Sequence, residues 1–425
     1  MKHLHLPMDG VVRWRQFRLL RSWVLFGFFV AVFAVPHDVT AQETSAKQLS
    51  KSTIETLHSL GAANWEVDRD GNLTRIWLKD ARDETIQAVV AQFPKLQSVH
   101  LEAGNQPDKR FSAKGLKQLE KLNELTEIRL SLTEPTNEST AALSQLQRIT
   151  KLGLAIDRLS PTDLTHLAKL TAVKRLDLNA RSIDDATTAA LLACFPNLTG
   201  LNLNGKAASS LTMSEIERHR EMQSLELGQT FELTADDLAH VAQLTKLERL
   251  VLQGGIRKQT YDSLLEQVGK ITTLRELEVS IGHTDAGMEH LAMLTKLEQY
   301  HDHSEQITDK SLHIFAGMPN LRRLELHSPK ITGEGLSQLK HRDQLKWLRL
   351  NHTGLQPEHV RSLADLPALE LLDVSWTPVE KDDGYRTLFA LKNLKSLTHL
   401  HVVIPDAEAK NLRAELPNCE IDTIE

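Results

Sequence analysis

Apolar residues along this chain recur in a fixed phrase, apolar-x-x-apolar-x-apolar, that returns every 23 to 29 residues from Leu73 onward. LTRIWL begins at Leu73, LQSVHL at Leu96, LTEIRL at Leu125, ITKLGL at Ile149 and VKRLDL at Val173. LTGLNL follows at Leu198, MQSLEL at Met222, LERLVL at Leu247, LRELEV at Leu274 and LEQYHD at Leu297. LRRLEL at Leu321, LKWLRL at Leu345, LELLDV at Leu369 and LTHLHV at Leu397 complete fourteen copies. The period-two alternation predicts a short strand whose third, fifth and seventh positions point away from the buried ones. Between the phrases, apolar residues fall five and eight places after a first one, as in Ile307, Leu312, Phe315 and Ile331, Leu336, Leu339. Leu355, Val360, Leu363 and Leu233, Leu238, Val241 repeat the spacing. Thr308-Asp309, Thr332-Gly333 or Thr234-Ala235-Asp236 stands after the first residue, where a side-chain oxygen can accept from the free amides of a new helix. Each unit therefore reads as strand, turn, helix and return loop. Leu49, Ile54, Leu57 and Leu60 predict an amphipathic helix ahead of the series, leading to a first strand with Trp65 and Val67. A last helix over 407–416 and a strand over 419–424 are predicted to close it.

Units of this form resemble those of leucine-rich-repeat proteins of the ribonuclease-inhibitor-like class. GHTDAGMEHLAMLTKLEQ at 282–299 and EQITDKSLHIFAGMPNLRRLEL at 305–326 are similar to repeats of secreted bacterial members. The resemblance implies an α/β fold: a right-handed solenoid, or horseshoe, with a parallel concave β-sheet and convex helices. The repeats would occupy 73–403 in about fourteen units, between an N-terminal cap at 42–72 and a C-terminal cap at 404–425. It implies nothing about a particular ligand, because such proteins share a scaffold and not a partner. Departures occur in the loops GNQPDKR at 104–110 and TPVEKDDG at 377–384, and at His219, which stands where a helix leucine is expected.

Composition excludes several other classes. The chain of 425 residues is 41% hydrophobic and 25% charged, which is globular rather than disordered or multi-span membrane composition. Its net charge of −6 with scattered basic residues offers no footprint for nucleic acid. Lys2, Arg13, Arg15, Arg18 and Arg21 precede an uncharged run from Ser22 to Val35, shorter than the roughly 20 residues a membrane helix needs. With Val39-Thr40-Ala41 behind it, residues 1–41 read as a signal peptide cleaved after Ala41. An uncleaved signal anchor is the alternative. Cleavage leaves 45 basic against 54 acidic residues, a net charge of −9. The expected location is the periplasm, the cell surface or the exterior.

No enzyme signature survives inspection. Gly200 to Lys206 fits Gly-x4-Gly-Lys, but Ala207 replaces the magnesium-binding hydroxyl and the segment is already a repeat strand. Asp68, Asp70 and Asn72 suggest a calcium loop, yet Gly71 is misplaced and a hairpin turn fits better. Cys194 and Cys419 lie about nine strand steps apart, roughly 43 Å at 4.8 Å each, so they cannot bridge within a monomer.

The candidate site is a patch on the concave face of the C-terminal half. The fifth-position ladder there reads Glu278, His301, Glu325, Arg349, Asp373, His401, and the seventh-position ladder reads Ser280, His303, His327, Asn351, Ser375. With the third-position residues Arg323 and Trp347, the selected binding residues are His301, His303, Arg323, Glu325, His327, Trp347, Arg349, Asp373 and His401. Arg and Trp on a flat polar sheet are frequent anchors of protein interfaces. The alternative is that opposite charges only satisfy their cross-strand neighbours. Asp302 occupies an expected core position and suggests a locally distorted strand. His301, His303, His327 and Glu325 could meet a divalent ion only if they converge, so neither a metal nor a cofactor is assigned. The sequence thus reads as a monomeric, non-catalytic scaffold that binds a protein, or else a polysaccharide. A ubiquitin-ligase adaptor of the F-box type ranks lower, because no helical recruiting module precedes the cap.

Overall fold

The computed structural model describes residues 49–423 apart from 105–109, 132–134, 181, 206–208, 229–232, 255–260, 340–342, 382 and 395. The expected signal segment lies outside the described residues, as does most of the loop at 104–110. Residues Ala46–Glu425 cluster as one compact unit.

Among the described residues, sixteen strands join in sequence order into one sheet. They are β1 Ala62–Val67, β2 Leu73–Leu78, β3 Ser98–Glu102, β4 Glu127–Ser131, β5 Lys151–Ile156 and β6 Arg175–Ala180. β7 Gly200–Gly205, β8 Ser224–Gly228, β9 Arg249–Gln253, β10 Glu276–Ser280 and β11 Gln299–Asp302 continue the series. β12 Arg323–Leu326, β13 Trp347–Arg349, β14 Leu371–Asp373, β15 His399–Val402 and β16 Glu420–Thr423 end it. Strands β2 to β15 fall on the fourteen phrases, each parallel to the next and in phase, as in Leu324, Leu348, Leu372 and Leu400. The first, fourth and sixth positions are buried, for example Leu345, Leu348 and Leu350. Gly200–Gly205 is one of these strands, as its place in the repeat demands.

β1 is the exception in direction, running antiparallel to β2. The Asp68 carboxylate accepts from the backbone amides of Asp70 and Asn72 and from the Asn72 side chain, at 2.8–2.9 Å, and so builds the expected hairpin turn. A helix at Lys51–Ser59 precedes β1, and a helix at Asp406–Glu415 precedes β16.

The helical side changes along the chain. From Asp83 to Glu289 the units carry short α-helices, whereas from Asp309 onward the corresponding segments, Asp309–Gly317, Glu334–Leu339 and Pro357–Asp365, are 3₁₀. Buried pairs such as Leu312 with Phe315 and Leu336 with Leu339 are three residues apart. A 3₁₀-helix eclipses such pairs and an α-helix places them on one face, so the pattern is met by either.

A second polar repeat ties unit to unit. Asp262 accepts from the Thr284 amide at 2.7 Å, Asp285 from Thr308 at 2.8 Å and Asp309 from Thr332 at 2.8 Å. Asp309 also takes the amides of Gly333 and Gly335. The carboxylate of one unit thus satisfies orphan donors at the helix start of the next. Cys194 and Cys419 are both free thiols, and burial pushes each up to about 11.

Candidate functional site

The parallel register assembles the concave face residue by residue. Gln299, Arg323, Trp347, Leu371 and His399 align in one row, and His301, Glu325, Arg349, Asp373 and His401 in the next. The ladder continues just past the strands: the His303 amide donates to the Val279 carbonyl and the His327 amide to that of Asp302, both at 3.0 Å. His303 and His327 consequently stack, with ring centroids 4.3 Å apart and planes 15° from parallel.

Glu325 is the hub. Its Oε1 lies 3.0 Å from His327 Nε2, while Oε2 faces Arg349 Nη1 at 3.6 Å and Arg323 Nη2 at 4.0 Å. Burial opposes its ionisation, but the His327 hydrogen bond and the neighbouring positive charge hold the carboxyl down at about 2. His301 contributes to that charge, and burial lowers its own pKa. His303 is lowered as well, by burial and then by His327. The Arg323 guanidinium packs over the Trp347 ring at 4.6 Å, and burial together with repulsion from Arg349 pulls its pKa below the ordinary arginine value. Two half-buried guanidiniums therefore share one carboxylate.

Among the described residues, ten buried side-chain polar atoms lack a hydrogen-bond partner, and five of them gather on this surface. They are His301 Nε2, Arg323 Nε, Arg349 Nε, Asn351 Oδ1 and Ser375 Oγ, spread over β11 to β14 and the residues just after. Native structures leave few such atoms unpaired, so each asks for an explanation, here as at Trp77, Asp177, Asn202, His219 and Glu408.

The selected residues do not all converge. His301, His303, Arg323, Glu325, His327, Trp347 and Arg349 form one patch. Asp373 lies beside Arg349 in register but spends one oxygen on the Ser375 amide at 3.0 Å. His401 turns toward the last strand, its Nε2 3.6 Å from Asp422. The suggestion of a distorted strand is corrected: β11 pairs in unbroken register through Asp302. Asp302 stays fully buried because His283 Nε2 donates to it at 2.9 Å, the Tyr300 hydroxyl at 2.6 Å and the Ser304 amide at 2.7 Å. His283 Nδ1 meets the Ile281 carbonyl at 2.9 Å, so both ring nitrogens donate and the ring is an imidazolium. Burial alone would lower the His283 pKa, but the Asp302 charge and these bonds outweigh it and raise it.

Sequence reasoning also passed over Trp376, which is 53% exposed and stacks on His352 with ring planes 3° apart. Both hold left-handed backbone, φ 61° and 58°, as does Asp80 at φ 49° at the same place in the first phrase. That place, two residues beyond the last apolar position of the phrase, was the available signal.

This geometry defines a leucine-rich-repeat solenoid. An internalin from Listeria monocytogenes is similar to it with TM-score 0.51 and 18% identity, covering 81% of this chain and 94% of the internalin. A chain of the yeast Rad7 and Elc1 complex structure is similar with the same TM-score at 19% identity, covering 80% of this chain and 87% of that chain. No protein-family model matches the sequence, and no curated protein matches it. At such identity the likeness establishes the fold.

Proposed function

We propose that this protein is an exported, non-catalytic scaffold that captures a protein partner on the C-terminal half of its concave sheet. The observation that carries the reading is the set of five partnerless polar atoms across β11 to β14. An unpaired buried donor or acceptor costs about 1–3 kcal/mol, so a partner that presents acceptors to Arg323 and Arg349 recovers energy that the free surface lacks. Trp347, held flat beneath Arg323, supplies the rigid aromatic area that interface anchors have. The partner's complementary chemistry is acidic, because two guanidiniums meet a single carboxylate.

The test is affinity capture with the full chain, identification of the bound protein, and comparison with Trp347→Ala/Arg349→Ala. The expected loss is about 2 kcal/mol or more of binding, roughly 30-fold, with an unchanged melting curve. Equal capture by the variant removes the site from the patch. Export is tested separately by N-terminal sequencing of extracytoplasmic material, which is expected to begin at Gln42; an intact chain retained in the cytosol contradicts it.

A second reading, a polysaccharide ligand, is favoured by the exposed Trp376 ring stacked on His352, which offers an aromatic face to a sugar. Loss of glycan binding in Trp376→Ala with protein capture intact would support it.

A further inference from the structure

We propose that His303, Glu325 and His327 form a site for one divalent transition-metal ion, with zinc the best fit. One donor atom from each of the three residues lies within 4.8 Å of the other two. Two of the donors are already set: Glu325 Oε1 and His327 Nε2 stand 3.0 Å apart. Neighbouring donors on a tetrahedral ion with arms of about 2.0–2.1 Å are roughly 3.3 Å apart, so this pair has the separation of a chelate.

The scaffold explains the placement. Glu325 and His327 are i and i+2 along one strand direction and share a face, while His303 occupies the register position of His327 one strand away. The third donor has to close by no more than about 1.5 Å to meet the same ion. The His303 side chain is open to solvent on one side, so the ion has an approach, and to bind it the ring has to turn out of its stack on His327. On binding, the His327 Nε2 hydrogen bond to Glu325 is replaced by the ion, and the ring carries its proton on Nδ1. Two imidazoles with one carboxylate suit zinc, nickel or copper, whereas calcium and magnesium prefer oxygen donors throughout. Three protein donors leave a fourth position for water or for a side chain of a docked partner.

The environment also sets a limit that makes the proposal testable. Arg349 and Arg323 face the other oxygen of Glu325, at 3.6 and 4.0 Å. Their charges repel a cation, so the site is weaker than its donor set alone would make it, and removing Arg349 should tighten it. The same substitution weakens partner capture under the proposed function. The two inferences thus respond to Arg349 in opposite directions, and the metal site stands whether or not a partner docks there.

The experiment is titration of the full, chelator-stripped chain with Zn2+ by calorimetry, and with Co2+ followed by its visible absorption. One ion per chain is expected. His303→Ala, His327→Ala and Glu325→Gln should each weaken zinc binding at least about 10-fold, since even a change behind a metal ligand costs 10- to 100-fold. Arg349→Met should tighten it several-fold, and His401→Ala should leave it unchanged. Melting curves of each apo variant verify the fold. No saturable uptake by the parent chain overturns the proposal, and so does uptake that survives both His303→Ala and His327→Ala.

Discussion

The N-terminal and C-terminal halves of the concave sheet are built from the same strand phrase but handle charge differently. In the first half the concave carboxylates Glu127 and Asp177 each meet more than one cation. Arg129 binds Asp177 at 2.8 Å and Glu127 at 3.2 Å, and Glu127 also faces Arg75 and Lys151. Where the two halves join, Arg249 bridges Glu226 at 3.2 Å and Glu276 at 2.7 Å, and those partners overcome burial to raise its pKa. His100 stacks on Trp77 at 4.9 Å, and burial followed by repulsion from Arg129 keeps it neutral, with a pKa lowered to about 4. In the second half Arg323 and Arg349 share Glu325; unpaired polar atoms occur in both halves, at Trp77, Asp177 and Asn202 in the first and at His301, Arg323, Arg349, Asn351 and Ser375 in the second. The difference teaches that alternating charge in a sequence does not mark a binding surface. Under the proposed function, the mark is charge that the sheet shares among too few partners, as Glu325 is shared by Arg323 and Arg349.

The cores differ as well, and the largest expected effect lies there. Asp302 replaces the leucine or valine of its neighbours, and His283 balances it. Asp302→Ala leaves a buried imidazolium alone, which should cost about 3–5 kcal/mol. His283→Leu/Asp302→Leu should recover most of that loss, and chemical denaturation of the three proteins checks both. Equal instability of the single and double variants would show that the pair is not what holds this unit.

The same pair predicts a pH dependence with a definite sign. The folded pKa of His283 is raised above its usual 6.5, so the folded state binds the proton more tightly than the unfolded state does. Its contribution to stability is complete below about pH 6.5 and is lost as pH rises through the folded value. Melting temperature should therefore decline across that interval in the parent chain, and less so in His283→Leu/Asp302→Leu. Parallel pH profiles would remove the imidazolium from the account.

Smaller effects separate the two halves at the surface. Arg129→Ala strips a shared cation from Glu127 and Asp177 and should cost about 1 kcal/mol, the upper end for partly exposed pairs. Arg349→Ala should change stability by less than about 0.5 kcal/mol, because Glu325 keeps Arg323 and His327. Thermal melts of the two variants side by side test the contrast, and a larger loss for Arg349→Ala would reverse it.

Much of the fold was legible because the phrase has a period that only a strand with one buried face satisfies. Its fourteen copies locate β2 to β15, and Asp68 to Asn72 announce the hairpin. The change from α-helix to 3₁₀ was not legible, since Leu312 and Phe315 suit both. Nor were the inter-unit caps: Asp309 reads as a cap of its own helix, whereas Thr308 caps that helix and the Asp309 carboxylate serves the following unit. Asp302 looked like a defect because its partner, His283, stands nineteen residues earlier in the preceding unit. The ladders of the candidate patch could be drawn from spacing alone. Which donors remain unpaired could not, because that depends on side-chain directions such as the turn of His401 toward Asp422.

The most direct test of the central claim is charge reversal on both halves in one capture assay. Once the partner is identified, Arg349→Glu and Arg129→Glu are compared with the parent chain for affinity and for melting temperature. Arg349→Glu should abolish capture while the chain stays folded, and Arg129→Glu should lower the melting temperature while capture persists. Capture lost in Arg129→Glu and retained in Arg349→Glu would place the binding surface on the N-terminal half, and would contradict the account.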